Sequence, residues 1–117
     1  MKLSSDIYNF TMKKLWEIYV PTIRKNGNPI RVRHHKVWDH KVREIAGGLT
    51  IFKPSIGYWD SPTGELYRDR MIPVRIVASD EEIEKIIDVT FKHYEDEEAI
   101  LCVEVSDKVM IKHRGER

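Results

Sequence analysis

At 117 residues, the chain has the length of one domain and can bury a core without a disulfide framework or a structural metal. Its single cysteine, Cys102, excludes an internal disulfide, and a net charge of +1 gives no global case for nucleic acid. No apolar run approaches the ~20 residues that span a bilayer.

The first residues, Met1-Lys2-Leu3-Ser4-Ser5-Asp6, lack the apolar core of a signal peptide, so the expected compartment is the cytoplasm. The chain has no Gln and three Asn (Asn9, Asn26, Asn28), a composition that leans towards a heat-adapted source. Charge is unevenly spread. Residues 24–43 hold seven Lys or Arg against Asp39, and residues 80–98 hold nine acids against Lys85 and Lys92. Each block reads as a solvated face, or as one half of a complementary contact between copies.

Residues 1–14 form an N-terminal extension that the pattern leaves between helix and strand: Ser5 or Asp6 is placed to cap a short helix carrying Ile7, Phe10 and Leu15, with imperfect spacing. Leu15-Trp16-Glu17-Ile18-Tyr19-Val20 reads as a strand, stopped by Pro21. Asn26-Gly27 is a turn signal. From 34 to 46 the period becomes helical, with Val37, Trp38, Val42, Ile45 and Ala46 on one face, and Gly47-Gly48 ends the helix. A long hairpin follows, folded at Ser61-Pro62-Thr63-Gly64. Folding it about Pro62-Thr63 sets Tyr58 opposite Tyr67 and Pro54 opposite Met71. Pro54 and Pro73 each remove a ladder donor, which calls for an edge or a bulge midway along the arms.

Ser79-Asp80-Glu81-Glu82 is a capping box. Behind it Ile83, Ile86, Ile87, Thr90, Phe91 and Tyr94 keep helical spacing. Ala99-Ile100-Leu101-Cys102-Val103-Glu104-Val105 reads as the last strand, with an optional further strand at Val109-Met110-Ile111 and a charged tail over 113–117. The order is β-α-β-β-α-β. It predicts an α+β, ferredoxin-like single domain: an antiparallel sheet, two helices on one face, and a long hairpin protruding from the second and third strands.

Gly47-Gly48-x-Thr50, Gly57-x-Trp59, Gly64, Asp69 and Glu98-Ala99-Ile100 together resemble small ferredoxin-like proteins of bacteria and phages over roughly residues 15–112. No settled activity goes with that resemblance. It implies the fold and leaves the chemistry to the residues.

His34, His35 and His40 cluster, but their spacings put no two on one helical face, so a metal helix is not indicated. His35 with Asp39, and His40 with Glu44, are i,i+4 pairs instead. His93 and His113 stand alone in the sequence. Cys102 lies in an apolar run and reads as a small buried hydrophobe. No nucleophile elbow, phosphate loop or dinucleotide fingerprint occurs, and no cofactor or metal is indicated.

The strongest site candidates are the outer hairpin, with Tyr58, Trp59, Asp60, Tyr67, Arg68, Asp69 and Arg70, and the basic stretch with Arg31, Arg33, His34 and His35. Aromatics and arginine are the residue types of binding hot spots, and arginine grips carboxylate or phosphate bidentately. The sequence therefore favours a non-enzymatic, homo-oligomeric binding module for a protein partner or an anionic small ligand such as a nucleotide. In a phage, an inhibitor or a sequesterer of a host signalling nucleotide would fit. One alternative is nucleic-acid binding through Arg31, Arg33, Lys36, Lys41 and Arg43. The RRM signature is absent, and an aliphatic open sheet face, expected from Met71-Ile72-Pro73-Val74-Arg75-Ile76-Val77, suits a protein surface better than bases. The other alternative is a small enzyme using His34, His35 or His40 as acid or base.

Overall fold

A computed structural model describes residues 12–115. The short helix expected near Ser5 and Asp6 falls outside them. In chain order the elements are β1 (Lys14–Pro21), α1 (Val32–Ala46), β2 (Thr50–Ile51), β3 (Ser55–Asp60), β4 (Leu66–Ala78), α2 (Asp80–His93) and β5 (Cys102–Ser106). The sheet is antiparallel. β1 lies between β4 and β5, while β2 and β3 both pair with the far edge of β4. This is the ferredoxin-like arrangement, with its second strand broken in two.

Alternation along β1 and β4 sends Ile18, Val20, Val74, Ile76 and Ala78 to one face of the sheet. There they meet Trp38 and Val42 of α1 and Ile83 and Ile86 of α2 in a single core. Two expected core residues are outside it. Val37 is 46% exposed and Phe91 38% exposed, because each lies one residue round the helix from the buried stripe. The vacated place on α2 is taken by His93, which is buried beside Thr90 and Tyr94.

α2 starts on the predicted capping box: Glu82 N–H donates to Ser79 Oγ at 3.1 Å and Ser79 N–H donates to Glu82 Oε1 at 2.8 Å. α1 begins two residues earlier than expected, at Val32. Its cap residue, Arg31, has no side-chain oxygen to offer, and no acid stands in the first turn. The helix ends where Gly47, at φ +89°, donates its N–H to Arg43 O. The last strand starts at Cys102 rather than 99, although Ile100 still packs on the core. The run 109–111 adds no further named strand among the described residues.

The hairpin holds two registers. Near the core Thr50 faces Arg75 and Ile51 faces Val74, as folding about Pro62-Thr63 predicts. Further out Ser55 faces Met71, Tyr58 faces Arg68 and Trp59 faces Tyr67, one residue out of step with that prediction. The cause is the turn. Gly64 sits at φ +86° and donates to Ser61 O at 2.9 Å, while Ser61 N–H donates to Glu65 O at 2.8 Å. This is a three-residue loop with a left-handed glycine, one residue longer than the turn assumed. The extra residue is absorbed at 52–54, where Pro54 and Pro73 break the ladder. Beyond that break the two-stranded arm projects. The chain measures 59 × 31 × 24 Å, with a radius of gyration of 17.1 Å against the ~13 Å of a compact chain near this length.

The open sheet face is only partly aliphatic: Leu15, Val77 and Val103 lie on it, while most aliphatic residues of β4 point to the helices. Beside them it carries a polar network. Tyr19 OH donates to Glu17, Arg75 Nε donates to Glu17 Oε1 at 3.0 Å, and the Arg75 guanidinium lies 5.4 Å from the Phe52 ring centre. The Tyr19 hydroxyl, aided by Arg75 and opposed by burial, holds the Glu17 carboxyl below its ordinary pKa. A depressed carboxyl pKa stabilises the fold above the unfolded value and loses that contribution as pH falls through the folded one. Acid unfolding of Glu17→Gln is therefore expected to lack part of the wild-type decline in stability below about pH 4.5. Chemical denaturation at stepped pH checks this, and parallel curves would contradict it.

Candidate functional site

The β1–α1 connection organises two depressions. Residues 22–30 fold back on themselves: Arg24 N–H donates to Asn28 O at 2.7 Å, Gly27 N–H to Arg24 O at 2.8 Å, and Ile30 N–H to Thr22 O at 2.9 Å. Gly27, at φ +87°, supplies the left-handed residue that this turn needs. Lys25 N–H donates to Asp96 Oδ2 at 2.8 Å and Arg24 Nε lies 3.7 Å from the same oxygen, tying the loop to the segment after α2.

On one side of the loop lies a depression of about 690 Å³, lined by Arg24, Asn28, Pro29, Ile30, Arg31, Arg33, His34 and Val37. No carboxylate lines it. Arg31 and Arg33 are exposed and have no ion-pair partner among the described residues. The uncapped start of α1 adds the positive end of its dipole at the same place. Of the expected basic residues, Arg31, Arg33 and His34 come together here. His35 points elsewhere, and Arg24 joins through loop closure, a contribution that linear spacing did not show.

On the other side is a depression of about 790 Å³ between the loop, the base of the arm and residues 96–101. Trp59, Tyr67, Asp69 and Met71 form its arm-side wall. The outer hairpin residues do not gather into one patch. Pairing of Gly57 with Asp69 and Trp59 with Tyr67 puts these on the open-face side of the ribbon, and Tyr58, Arg68 and the side chain of Arg70 fall on the reverse. Arg70 reaches the depression through its backbone, whose carbonyl accepts from Thr22 Oγ1 at 2.7 Å. Asp60 lies at the tip, opposite Leu66. A Cβ at Gly57 would come within 2.8 Å of Trp59 Nε1 and 3.1 Å of Met71 Cε, so the glycine is what lets the indole lie against the ribbon.

Behind the basic depression, α1 and α2 are cross-linked by histidines. His34 and His93 stack with ring centres 3.9 Å apart, each with Nε2 on the other's backbone carbonyl, at 3.0 and 2.7 Å. His35 Nδ1 meets the Tyr94 hydroxyl at 2.6 Å, replacing the pair expected with Asp39. Burial, with His34 and His93 nearby, lowers the His35 pKa. Burial raises that of Tyr94, with Asp39 adding to it. The expected His40–Glu44 pair is present at 2.6 Å. Thus His93, isolated in the sequence, is central to the cluster.

Among the described residues no three His, Cys, Asp or Glu side chains converge to hold a metal ion, and no helix is long and apolar enough to cross a membrane. Cys102 is half-buried, and burial, with Glu84, pushes its thiol pKa up, away from the thiolate that reactivity needs. Arg33, Lys36 and Arg43 lie within one exposed face of α1, at i, i+3 and i+10, while Lys41 lies off that line.

No family model matches the sequence, and no curated protein does. Solved structures do match. CutA1 from Oryza sativa superposes with a TM-score of 0.60 at 11% identity, covering 92% of this chain and 86% of its own. The periplasmic divalent cation tolerance protein CutA from Archaeoglobus fulgidus gives 0.58 at 12%, covering 80% and 84%. A phage SAM lyase in complex with S-methyl-5'-thioadenosine gives 0.56 at 14%, covering 87% and 91%. What is shared is the fold. At these identities the likeness carries no residue roles across.

Proposed function

We propose that the chain is a non-enzymatic, homo-oligomeric binding module that takes a small anionic ligand beside the β1–α1 loop. The carrying observation is the depression lined by Arg24, Arg31, Arg33 and His34 with no carboxylate among its walls. Arginine forks suit phosphate or carboxylate oxygens, and such contacts are stronger than neutral hydrogen bonds. The second depression, across the loop, offers Trp59 and Tyr67 to a planar group but also carries Asp69, Asp96, Glu97 and Glu98, so the anionic group of a nucleotide would be taken on the basic side. One protein of the same fold was solved with S-methyl-5'-thioadenosine, an uncharged nucleoside, which supports the planar part of such a ligand and not its anionic group. The test is mass spectrometry of small molecules released from the denatured protein, with thermal shifts against phosphate and a nucleotide panel. No released ligand and no shift would remove this reading.

The arm supports self-association. A lone two-stranded ribbon is marginal in water, yet this one exposes Ile56, Tyr58 and Leu66 on one face and Trp59 and Tyr67 on the other. A second copy covering the arm resolves both facts. Tyr58→Asp combined with Leu66→Asp is expected to shift the protein towards monomer in sedimentation velocity. A wild type that is already monomeric at high concentration would refute this.

A second reading, nucleic-acid binding, is favoured by the exposed line of Arg33, Lys36 and Arg43 on α1. It requires affinity that falls steeply with salt.

A further inference from the structure

The arm-side depression, across the β1–α1 loop from Arg31 and Arg33, brings two walls together. Strand alternation sends Trp59, Tyr67, Asp69 and Met71 to one side of the ribbon, the side that borders the depression. Trp59 is 41% exposed and Tyr67 50%, so both rings stand open to solvent there. The opposite wall is the segment after α2, with Asp96, Glu97 and Glu98. Glu97 is half-buried. Burial raises its carboxyl pKa, and Asp69 and then Asp96 add to the rise. For Asp69 to act on Glu97, the two carboxyls must lie within electrostatic reach across the depression. The Glu97 carboxyl is therefore aimed at the arm wall, although the residue also borders the narrow cleft behind the loop.

Little positive charge answers these carboxylates. Arg24 Nε lies 3.7 Å from Asp96 Oδ2, and the Lys25 N–H donates to the same oxygen at 2.8 Å. Arg70 meets the depression through its carbonyl, and its side chain falls on the reverse of the ribbon. That leaves the exposed Lys25 side chain as the other cation on the border. Neither Asp69 nor Glu97 has an ion-pair partner among the described residues. Two carboxylates facing each other repel, and a cation between them relieves the repulsion. A hard metal ion does not suit the place: no three His, Cys, Asp or Glu side chains converge among the described residues, and Ile23, Met71 and Leu101 also line it. Aromatic faces beside carboxylates suit a weakly hydrated organic cation, which the ring quadrupole attracts as well. Resting on the reading that places the planar part of the ligand at this wall, we infer that this part is positively charged: the depression takes a heteroaromatic cation, such as an N-alkylated ring, against Trp59 and Tyr67, with its charge towards Asp69 and Glu97.

Such a ring does not compete with the anionic end of the ligand, which stays with Arg31 and Arg33 across the loop. Arg24 borders both depressions, so the two are neighbours. A nucleotide whose base is N-alkylated or a pyridinium carries both charges in one molecule. The ligand class thereby narrows from nucleotides at large to those with a cationic ring. The reverse of the ribbon, with Ile56, Tyr58 and Leu66, remains for a second copy.

The probes are 1-methylnicotinamide, a permanent cation, and nicotinamide, its neutral counterpart, each titrated into the wild-type protein by calorimetry. The charged ring is expected to bind about tenfold more tightly or better. Asp69→Asn combined with Glu97→Gln should remove that preference while inorganic phosphate still binds. Asp96 is left in place because it ties down the loop. An NMR titration of the wild type gives a check free of folding effects: 1-methylnicotinamide should shift the Trp59 indole N–H ahead of those of Trp16 and Trp38. Equal affinity for the two rings, no binding of either, a preference that survives the double variant, or a Trp59 indole that does not respond overturns the inference and leaves the oxyanion reading intact. Absence of phosphate binding with the charge preference present removes the oxyanion reading alone, and the cation site stands.

Discussion

Trp38→Ala is expected to cost about 3–5 kcal/mol of stability, measured by chemical denaturation. Typical domains have only about 5–15 kcal/mol in total, so the variant should be close to unfolding at moderate temperature. Trp38 is 1% exposed, and it is the largest fully buried side chain. Its Nε1 donates to Thr90 Oγ1 at 2.9 Å, and Thr90 Oγ1 donates to Ile86 O at 2.6 Å. Truncation opens a void between the helices and leaves a buried hydroxyl short of a donor. Trp38→Phe separates the two effects. It keeps most of the volume and loses the hydrogen bond, with an expected cost of about 1–3 kcal/mol. If alanine cost less than phenylalanine is expected to, the interhelix contact would not be the centre of the core.

The second large effect is functional. Reversing both Arg31 and Arg33 to Glu should weaken oxyanion binding by about 10²–10⁴-fold. Hydrogen bonds to charged groups contribute about 1.5–3 kcal/mol each, and 1.4 kcal/mol is tenfold. Both side chains are exposed at the start of α1, where an acid stabilises a helix by about 0.3–1 kcal/mol, so the variant should be no less stable than the wild type and the loss can be assigned to binding. Calorimetry with inorganic phosphate reads the affinity, and unchanged affinity would clear the depression of any role. The companion variant, Lys36→Glu with Arg43→Glu, alters the α1 line while sparing the depression. It should leave phosphate binding intact, and it should weaken nucleic-acid binding if the second reading holds.

The fold was legible because its signals are local. The capping box at Ser79 and Glu82, the glycine after α1 and the periodicity of α2 each act within one or two turns of chain. The outer register was less legible. It depends on whether Ser61-Pro62-Thr63-Gly64 closes with two residues or three, and the left-handed Gly64 decides that only once the chain is folded. Half of the candidate site could be read, since Arg31, Arg33 and His34 lie within four residues of chain. Arg24 arrives through backbone bonds across the loop, and His93 pairs with a residue 59 positions away. One clue to His93 was present: it stands three residues after Thr90 and seven after Ile86, on the apolar stripe of α2. A histidine at a core position has to find a polar partner, and the partner was the other orphan histidine run.

The three-residue loop at the arm's tip has a consequence for how the arm can change. β4 runs without interruption from the core to the tip, so its odd and even residues keep their sides throughout. β3 has no such tether, because the break at 52–54 disconnects its count from that of β2. Which aromatic neighbours Tyr67 is therefore a question of parity set at the tip alone. Closing the turn on Pro62-Thr63 alone, with Gly64 drawn into the strand opposite Ser61, would bring Tyr58 beside Tyr67 and turn Trp59 to the reverse side. The facing of the arm's aromatic residues is thus set at the end furthest from the core.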